Sequence, residues 1–302
     1  MSKTKAWLSA ARLRTLPLSI SGIIVGTALA AHLGYANSTI FILALCTTIS
    51  FQITSNFAND YGDGVKGTDN NERIGPARAY QSGLLSRKEL KHGIRIAILI
   101  SCILVFALVY SAFGLAQLWY IILFLVLGAA SIWAAIRYTM GDKAYGYHGF
   151  GDVFVFLFFG LLSVLGSFFL YTKHIPWSIV LPAAAIGFLS TGVLNLNNLR
   201  DHISDKNAGK NTMVVKMGFS TGKYYHTVLL LLALSAVTLY VILHYTSWKN
   251  AVPLLAFIPV LIHLIKVHRT NNPGLLDPEL KKLALSTFLL SVLFFIGFNN
   301  FL

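Results

Sequence analysis

Carboxylates are scarce in this chain, and they are clustered. The sequence holds 11 Asp and Glu in 302 residues, and four of them, Asp60, Asp63, Asp69 and Glu72, fall within thirteen positions. They belong to the stretch Asn56-Phe57-Ala58-Asn59-Asp60-Tyr61-Gly62-Asp63, which runs on to Lys66 and Arg73. A second cluster, centred on Asp201 and 141 residues beyond Asp60, reads Asn197-Asn198-Leu199-Arg200-Asp201-His202-Ile203-Ser204-Asp205, with Lys210 close behind. On a continuous helix Asn56, Asp60 and Asp63 share one face, and so do Asn197, Asp201 and Asp205. Each helix then offers an amide and two carboxylates to a common point. Hard oxygen donors of this kind suit Mg²⁺, which is held by one or two carboxylates together with substrate phosphates. Zn²⁺ fits poorly, because of His and Cys only His202 is near. The expected metal ligands are therefore Asp60, Asp63, Asp201, Asp205 and Asn56.

Cations interleave with both clusters. Lys66, Arg73 and Arg78 follow the first, and Arg200, Lys206 and Lys210 accompany the second, while Lys143 lies in a third polar loop. Lys66, Arg73, Lys143, Arg200 and Lys210, with the amides of Asn56 and Asn197, are candidates to clamp a diphosphate as negative charge builds on it. The third loop, 137–152, carries four glycines and four aromatic residues, a backbone able to approach a ligand and rings to line its site. An interfacial aromatic belt explains the same loop. Taken singly, each Asp or Asn is better explained as a helix cap or a partner for a nearby Arg or Lys. The doubling of the pattern in a charge-poor chain is what points to a site.

The elements that must position these residues are membrane helices. The chain is 56% hydrophobic and 12% charged, with mean hydropathy +0.67, about half the charge of a soluble domain. Apolar runs at about 16–33, 38–58, 93–113, 116–136, 152–172, 177–196, 225–245, 251–267 and 283–301 predict nine spanning helices. Residues 1–15 are basic and suit a short interfacial helix. The fold class expected is an all-α polytopic membrane protein, one bundle forming a single domain over 1–302. A net charge of +13 raises the question of nucleic acid, but its placement argues against it. With the N-terminus in the cytoplasm, the five inner segments hold 22 of the 24 Lys and Arg, and the outer connectors hold only Lys173 and Lys249. Both acidic clusters then lie at the cytoplasmic face, at the inner ends of the second and sixth spans. Cys46 and Cys102 sit in apolar runs, so neither a disulfide framework nor a thiolate site is expected.

With these motifs in place the sequence resembles the UbiA superfamily of intramembrane aromatic prenyltransferases along essentially its whole length. Within it, Ala11-Arg12-Leu13-Arg14-Thr15-Leu16-Pro17-Leu18-Ser19, Asn59-Asp60-Tyr61-Gly62-Asp63 with Lys66-Gly67-Thr68-Asp69, Gly149-Phe150-Gly151-Asp152, and Asn197-Asn198-Leu199-Arg200-Asp201 with Gly209-Lys210-Asn211-Thr212 resemble the branch that prenylates 1,4-dihydroxy-2-naphthoate in menaquinone synthesis. One departure stands out: where the superfamily often has a third Asp, four residues after the second, this chain has Gly67, and Asp69 comes two later.

The resemblance implies a transferase that moves a polyprenyl group from polyprenyl diphosphate to the naphthoate ring with loss of CO₂, yielding demethylmenaquinone. It implies a Mg²⁺ cofactor, catalytic Asp60, Asp63, Asp201 and Asp205, and a multi-pass location in the inner (plasma) membrane. Arg14, Arg137 and Tyr138 are candidates to orient the aromatic acceptor. Another acceptor, such as 4-hydroxybenzoate, is the nearest alternative. A phosphatidyl-type transferase would gather its acids in one motif, and a cation transporter would place them near the midplane.

Overall fold

The computed structural model describes residues 2–68, 74–75 and 78–299, which are helical with no strand. The helices are α1 (Lys3–Ala11), α2 (Leu16–His32), α3 (Ser38–Val65), α4 (Arg87–Phe113), α5 (Leu118–Arg137), α6 (Gly151–Thr172), α7 (Val180–Asn207), α8 (Phe219–Leu243), α9 (Phe257–Arg269) and α10 (Asp277–Phe298). Among the described residues, nine helices, counting α1 with α2, are long and apolar enough to cross a membrane, as the hydropathy pattern requires. Their ends differ from the apolar runs in one consequential way. Helix α3 continues past the end of its run to Val65, and α7 continues to Asn207, so the stretches Asn56–Asp63 and Asn197–Asp205 are helical throughout. The facial alignment expected of Asp60 with Asp63 and of Asp201 with Asp205 is thereby possible.

Helix α7 is the centre of the bundle. Of its most apolar stretch 67% is buried, against 17% for the peripheral α5. It packs on α6, α8 and α10, while α2 packs on α10 and α3 on α4. Close approach comes from small residues, since between membrane helices packing rather than water expulsion provides the attraction. A Cβ added to Gly160 of α6 would lie 2.4 Å from the Gly187 Cα of α7. Helix α6 winds as a π-helix over Phe156–Gly166 in this same region. Behind α7, a buried polar chain joins the last three helices. Glu279 accepts from His263 Nδ1 at 2.8 Å, and His263 Nε2 meets His226 Nε2 at 3.0 Å. Lys266 and Lys282 complete the Glu279 carboxylate at 3.0 and 2.7 Å.

The amino-terminal helix α1 is not simply laid on the surface. Its Ala6 and Ala10 are buried, its Trp7 ring meets Phe57 edge-on at 5.2 Å, and Gly93 of α4 leaves room for that indole. At the opposite membrane face Lys173, in a left-handed turn (φ +62°), donates to the carbonyl of Ala112 at 2.7 Å and to that of Leu170. It thus closes the ends of α4 and α6 together.

The Gly160–Gly187 contact gives a test of the packing. Gly160→Leu should destabilise the bundle by about 1–3 kcal/mol or more, the cost of overpacking, read as a lowered thermal midpoint in detergent. Gly166→Ala, whose Cβ would meet nothing closer than 3.4 Å, should leave the midpoint nearly unchanged.

Candidate active site

Asp60 is fully buried in the penultimate turn of α3. Its Oδ2 accepts from the Ala79 amide at 3.2 Å and its Oδ1 from the Tyr80 amide at 3.3 Å. It also borders a recess of about 310 Å³ that Arg12, Arg14 and Arg78 line with it. One turn on, Asp63 accepts from the Tyr147 hydroxyl at 2.8 Å and faces a larger cavity. The Lys66 ammonium lies 3.9 Å from the centre of the Tyr147 ring. Burial lowers the Lys66 pKa, an effect that Asp63 and Asp142 oppose.

The tip of α7 meets this group through Lys210. Its ammonium stands 3.6 Å from Asp205 Oδ1 and interacts with Asp63 as well. Burial opposes its charge, but the two carboxylates outweigh burial and raise its pKa, so Lys210 is a fixed cation. Lys210 also lies 5.7 Å from the ring of Tyr147, whose hydroxyl binds Asp63. The two helix tips therefore converge on one place, as the doubled motif requires.

Several expected residues take other partners. Asp201 is gripped on both oxygens by Arg200, at 2.8 and 2.6 Å, and Arg200 also donates to Asn197 Oδ1 at 2.8 Å and to Asp277 at 2.5 Å. With four of its five donors so engaged, Arg200 braces α7 against α10 and is not aimed at the cavity, although Asn197 lines it. Asn56 likewise turns to the amino-terminal segment. Its amide donates to Ala11 O at 2.8 Å and Thr15 Oγ1 at 3.3 Å, and its Oδ1 accepts from Gln52 at 3.1 Å. Lys143 is exposed, and Arg137 is half-buried with its guanidinium against Gly141. Tyr138 lines the cavity, and burial pushes its hydroxyl pKa up to about 12. Arg73, Asp69 and Glu72 lie outside the described residues.

The cavity itself, about 370 Å³, has its polar end at Asn59, Asp63, Asn197 and Lys210. It follows α3 from Asp63 back to Ala44, a run of about 28 Å at 1.5 Å per residue, nearly the thickness of the hydrocarbon core. Tyr145 and Phe154, stacked with centroids 3.9 Å apart, form part of its wall near the polar end, and Phe158 continues the stack at 6.0 Å. Such a shape accepts an anionic head and a long apolar tail.

Two buried oxygens at the second cluster, Asp205 Oδ2 and Asn198 Oδ1, have no partner within the protein. Buried polar atoms are normally satisfied, and an oxygen-seeking cation such as Mg²⁺ is of the kind these donors fit. Among the described residues no three His, Cys, Asp or Glu side chains form a metal site by themselves. Four participants escaped the sequence reading: Tyr147, the Ala79 amide, the Tyr80 amide and Asp277. Tyr147 stood in a loop already marked by its aromatics, while the other contacts had no local signal.

Residues 19–297 match the UbiA prenyltransferase family. The 1,4-dihydroxy-2-naphthoate octaprenyltransferase of Escherichia coli (strain K12) is 42% identical over 298 residues, covering 98% of this chain and 96% of that protein. The protein of the same name from Mycobacterium tuberculosis (strain ATCC 25618 / H37Rv) is 36% identical over 250 residues, covering 82% of this chain and 81% of its own. Among solved structures, a UbiA homolog from Archaeoglobus fulgidus bound to DMAPP and Mg²⁺ superposes with a TM-score of 0.65 at 13% identity, covering 97% of this chain and 99% of that one, a likeness of fold. With the family matched over nearly its whole length, this membrane-spanning chain belongs to the UbiA prenyltransferase family.

Proposed function

We propose that the protein transfers a polyprenyl group from polyprenyl diphosphate to 1,4-dihydroxy-2-naphthoate. A carbon–carbon bond forms to the ring as diphosphate leaves, the ring carboxylate departs as CO₂, and the product is demethylmenaquinol, the hydroquinone form of demethylmenaquinone. The observation that carries this reading is the meeting of Asp63, Asp205, Lys66 and Lys210 at the polar end of a membrane-deep apolar cavity. The naphthoate octaprenyltransferases that resemble the chain over nearly its full length narrow the acceptor.

Lys66 and Lys210 bind and orient the diphosphate oxygens, and Asp63 and Asp205 are the carboxylates best placed to hold a divalent ion. Mg²⁺, when bound, supplies positive charge to the leaving diphosphate. The wall of Tyr138, Tyr145 and Phe154 offers ring faces to the allylic carbon as it becomes cationic and keeps water from it. The recess bearing Arg14 suits the acceptor's carboxylate. No enzyme nucleophile is needed, because the electron-rich ring attacks directly. The whole chain acts as one domain, and the charge asymmetry of its loops supports an active site on the cytoplasmic face of the inner membrane.

Purified protein given dihydroxynaphthoate, a polyprenyl diphosphate and Mg²⁺ should yield a product whose mass shows one prenyl chain added and CO₂ lost. Turnover should stop in excess chelator, and persistence there would refute the metal. A product formed from 4-hydroxybenzoate in preference to naphthoate would overturn the acceptor. Asp205→Asn should lower kcat by about 10²-fold or more, the scale of losing one electrostatic contact to the developing charge, and should also lower the thermal midpoint, because the buried Lys210 loses one of its two carboxylates. Because Lys66 titrates below an ordinary lysine, it loses its charge sooner as pH rises. The alkaline limb of the pH–rate profile should therefore move up in Lys66→Arg.

A further inference from the structure

Two acidic helix tips cannot set their own spacing, since their carboxylates repel. In this protein the short helical turn Tyr145–His148, from the loop between α5 and α6, stands between them. It is pinned on both sides. The Gly146 amide donates to Tyr138 O at 3.0 Å, and a Cβ at Gly146 would fall 2.6 Å from that same carbonyl, so no larger residue fits. On the far side the Asn211 amide donates to Tyr147 O at 3.0 Å, and Lys216 donates to His148 O at 2.7 Å. Tyr147 is thus built into the segment that follows α7 through its backbone, and into the end of α3 through its side chain.

That side chain touches both clusters. Its hydroxyl donates to Asp63 Oδ1 at 2.8 Å, which leaves the Thr68 hydroxyl, 2.6 Å away, to donate to the Tyr147 oxygen. Its ring carries the Lys66 ammonium at 3.9 Å and lies 5.7 Å from the Lys210 ammonium. We propose that Tyr147 is a positioning residue for the transfer reaction, holding the Asp63 carboxylate and the Lys66 and Lys210 ammoniums in register so that the diphosphate and its ion meet an assembled site. A lysine or arginine in its place would neutralise Asp63; the phenol orients it and leaves its charge available. A cation on a ring likewise keeps its N–H groups for the ligand.

The proposal rests on the diphosphate reading above, and the test separates the two. Mn²⁺ binding by the full-length protein in detergent is followed by electron paramagnetic resonance with and without inorganic pyrophosphate, alongside steady-state kinetics. Tyr147→Phe removes only the hydroxyl. Its pyrophosphate-dependent Mn²⁺ affinity should fall by about tenfold, the scale of one lost hydrogen bond to a charged group, and KM for the prenyl diphosphate should rise more than kcat falls, at an unchanged thermal midpoint. Thr68→Val, which removes the donor behind Tyr147, should give a smaller shift of the same sign and serves if Tyr147→Phe fails to fold. Wild-type binding with either folded variant unchanged in Mn²⁺ affinity, or with only the thermal midpoint lowered, overturns the positioning role. Wild-type protein that binds no Mn²⁺ with pyrophosphate overturns the diphosphate reading and this proposal with it.

Discussion

Lys210 is buried between the carboxylates of Asp63 and Asp205, and the geometry of the site follows from that arrangement. A charge withdrawn from water is tolerable only with compensation. Here the compensation comes from two helices that are far apart in sequence. One ammonium between two mutually repelling carboxylates forces α3 and α7 to bring their tips together. With Lys66 also beside Asp63, the two carboxylates and the two ammoniums of this group balance.

The bundle supplies the stiffness this requires. Arg200 ties Asp201 and Asn197 within α7 and reaches across to Asp277 at the start of α10. Glycine contacts bring α6 against α7 with little freedom to slide, and Glu279, His263 and His226 join α8, α9 and α10 behind it. Acidic residues at a membrane edge thus divide their labour. Asp60 and Asp201 are fully engaged by protein donors, whereas Asp205 keeps an oxygen without a protein partner. The engaged pair ties the helix ends to their neighbours, and the partly engaged pair, Asp63 and Asp205, lies with Lys210 where the two tips meet.

Much of this was legible in the sequence because lipid is a demanding solvent. Spans must be apolar and about 20 residues long, and loop charge tracks the side of the membrane, so the number and order of helices could be read without structure. The paired acids were legible because so few carboxylates occur elsewhere. Helix ends were less so: α3 and α7 run on past their apolar stretches, since a helix that finds polar partners need not stop where hydropathy does. Side-chain direction was not legible at all where the partner is remote. The turn of Asn56 towards Ala11, the reach of Arg200 to Asp277 and the bond from Tyr147 to Asp63 span 45, 77 and 84 residues of sequence. Nothing local distinguishes such a residue from a cap, a clamp or a belt aromatic.

Helix α1 precedes in the chain every segment on which it rests. Its Trp7 needs Phe57 of α3 and Gly93 of α4, and its last carbonyl, at Ala11, is bonded by Asn56. As the chain emerges from the ribosome, this short basic segment has nothing to pack against until two further spans have entered the bilayer. A segment made before its partners is seated late, and seating it closes the recess beside Asp60. Assembly order and site completion are thereby coupled, so that a chain halted before its third crossing cannot present a finished pocket.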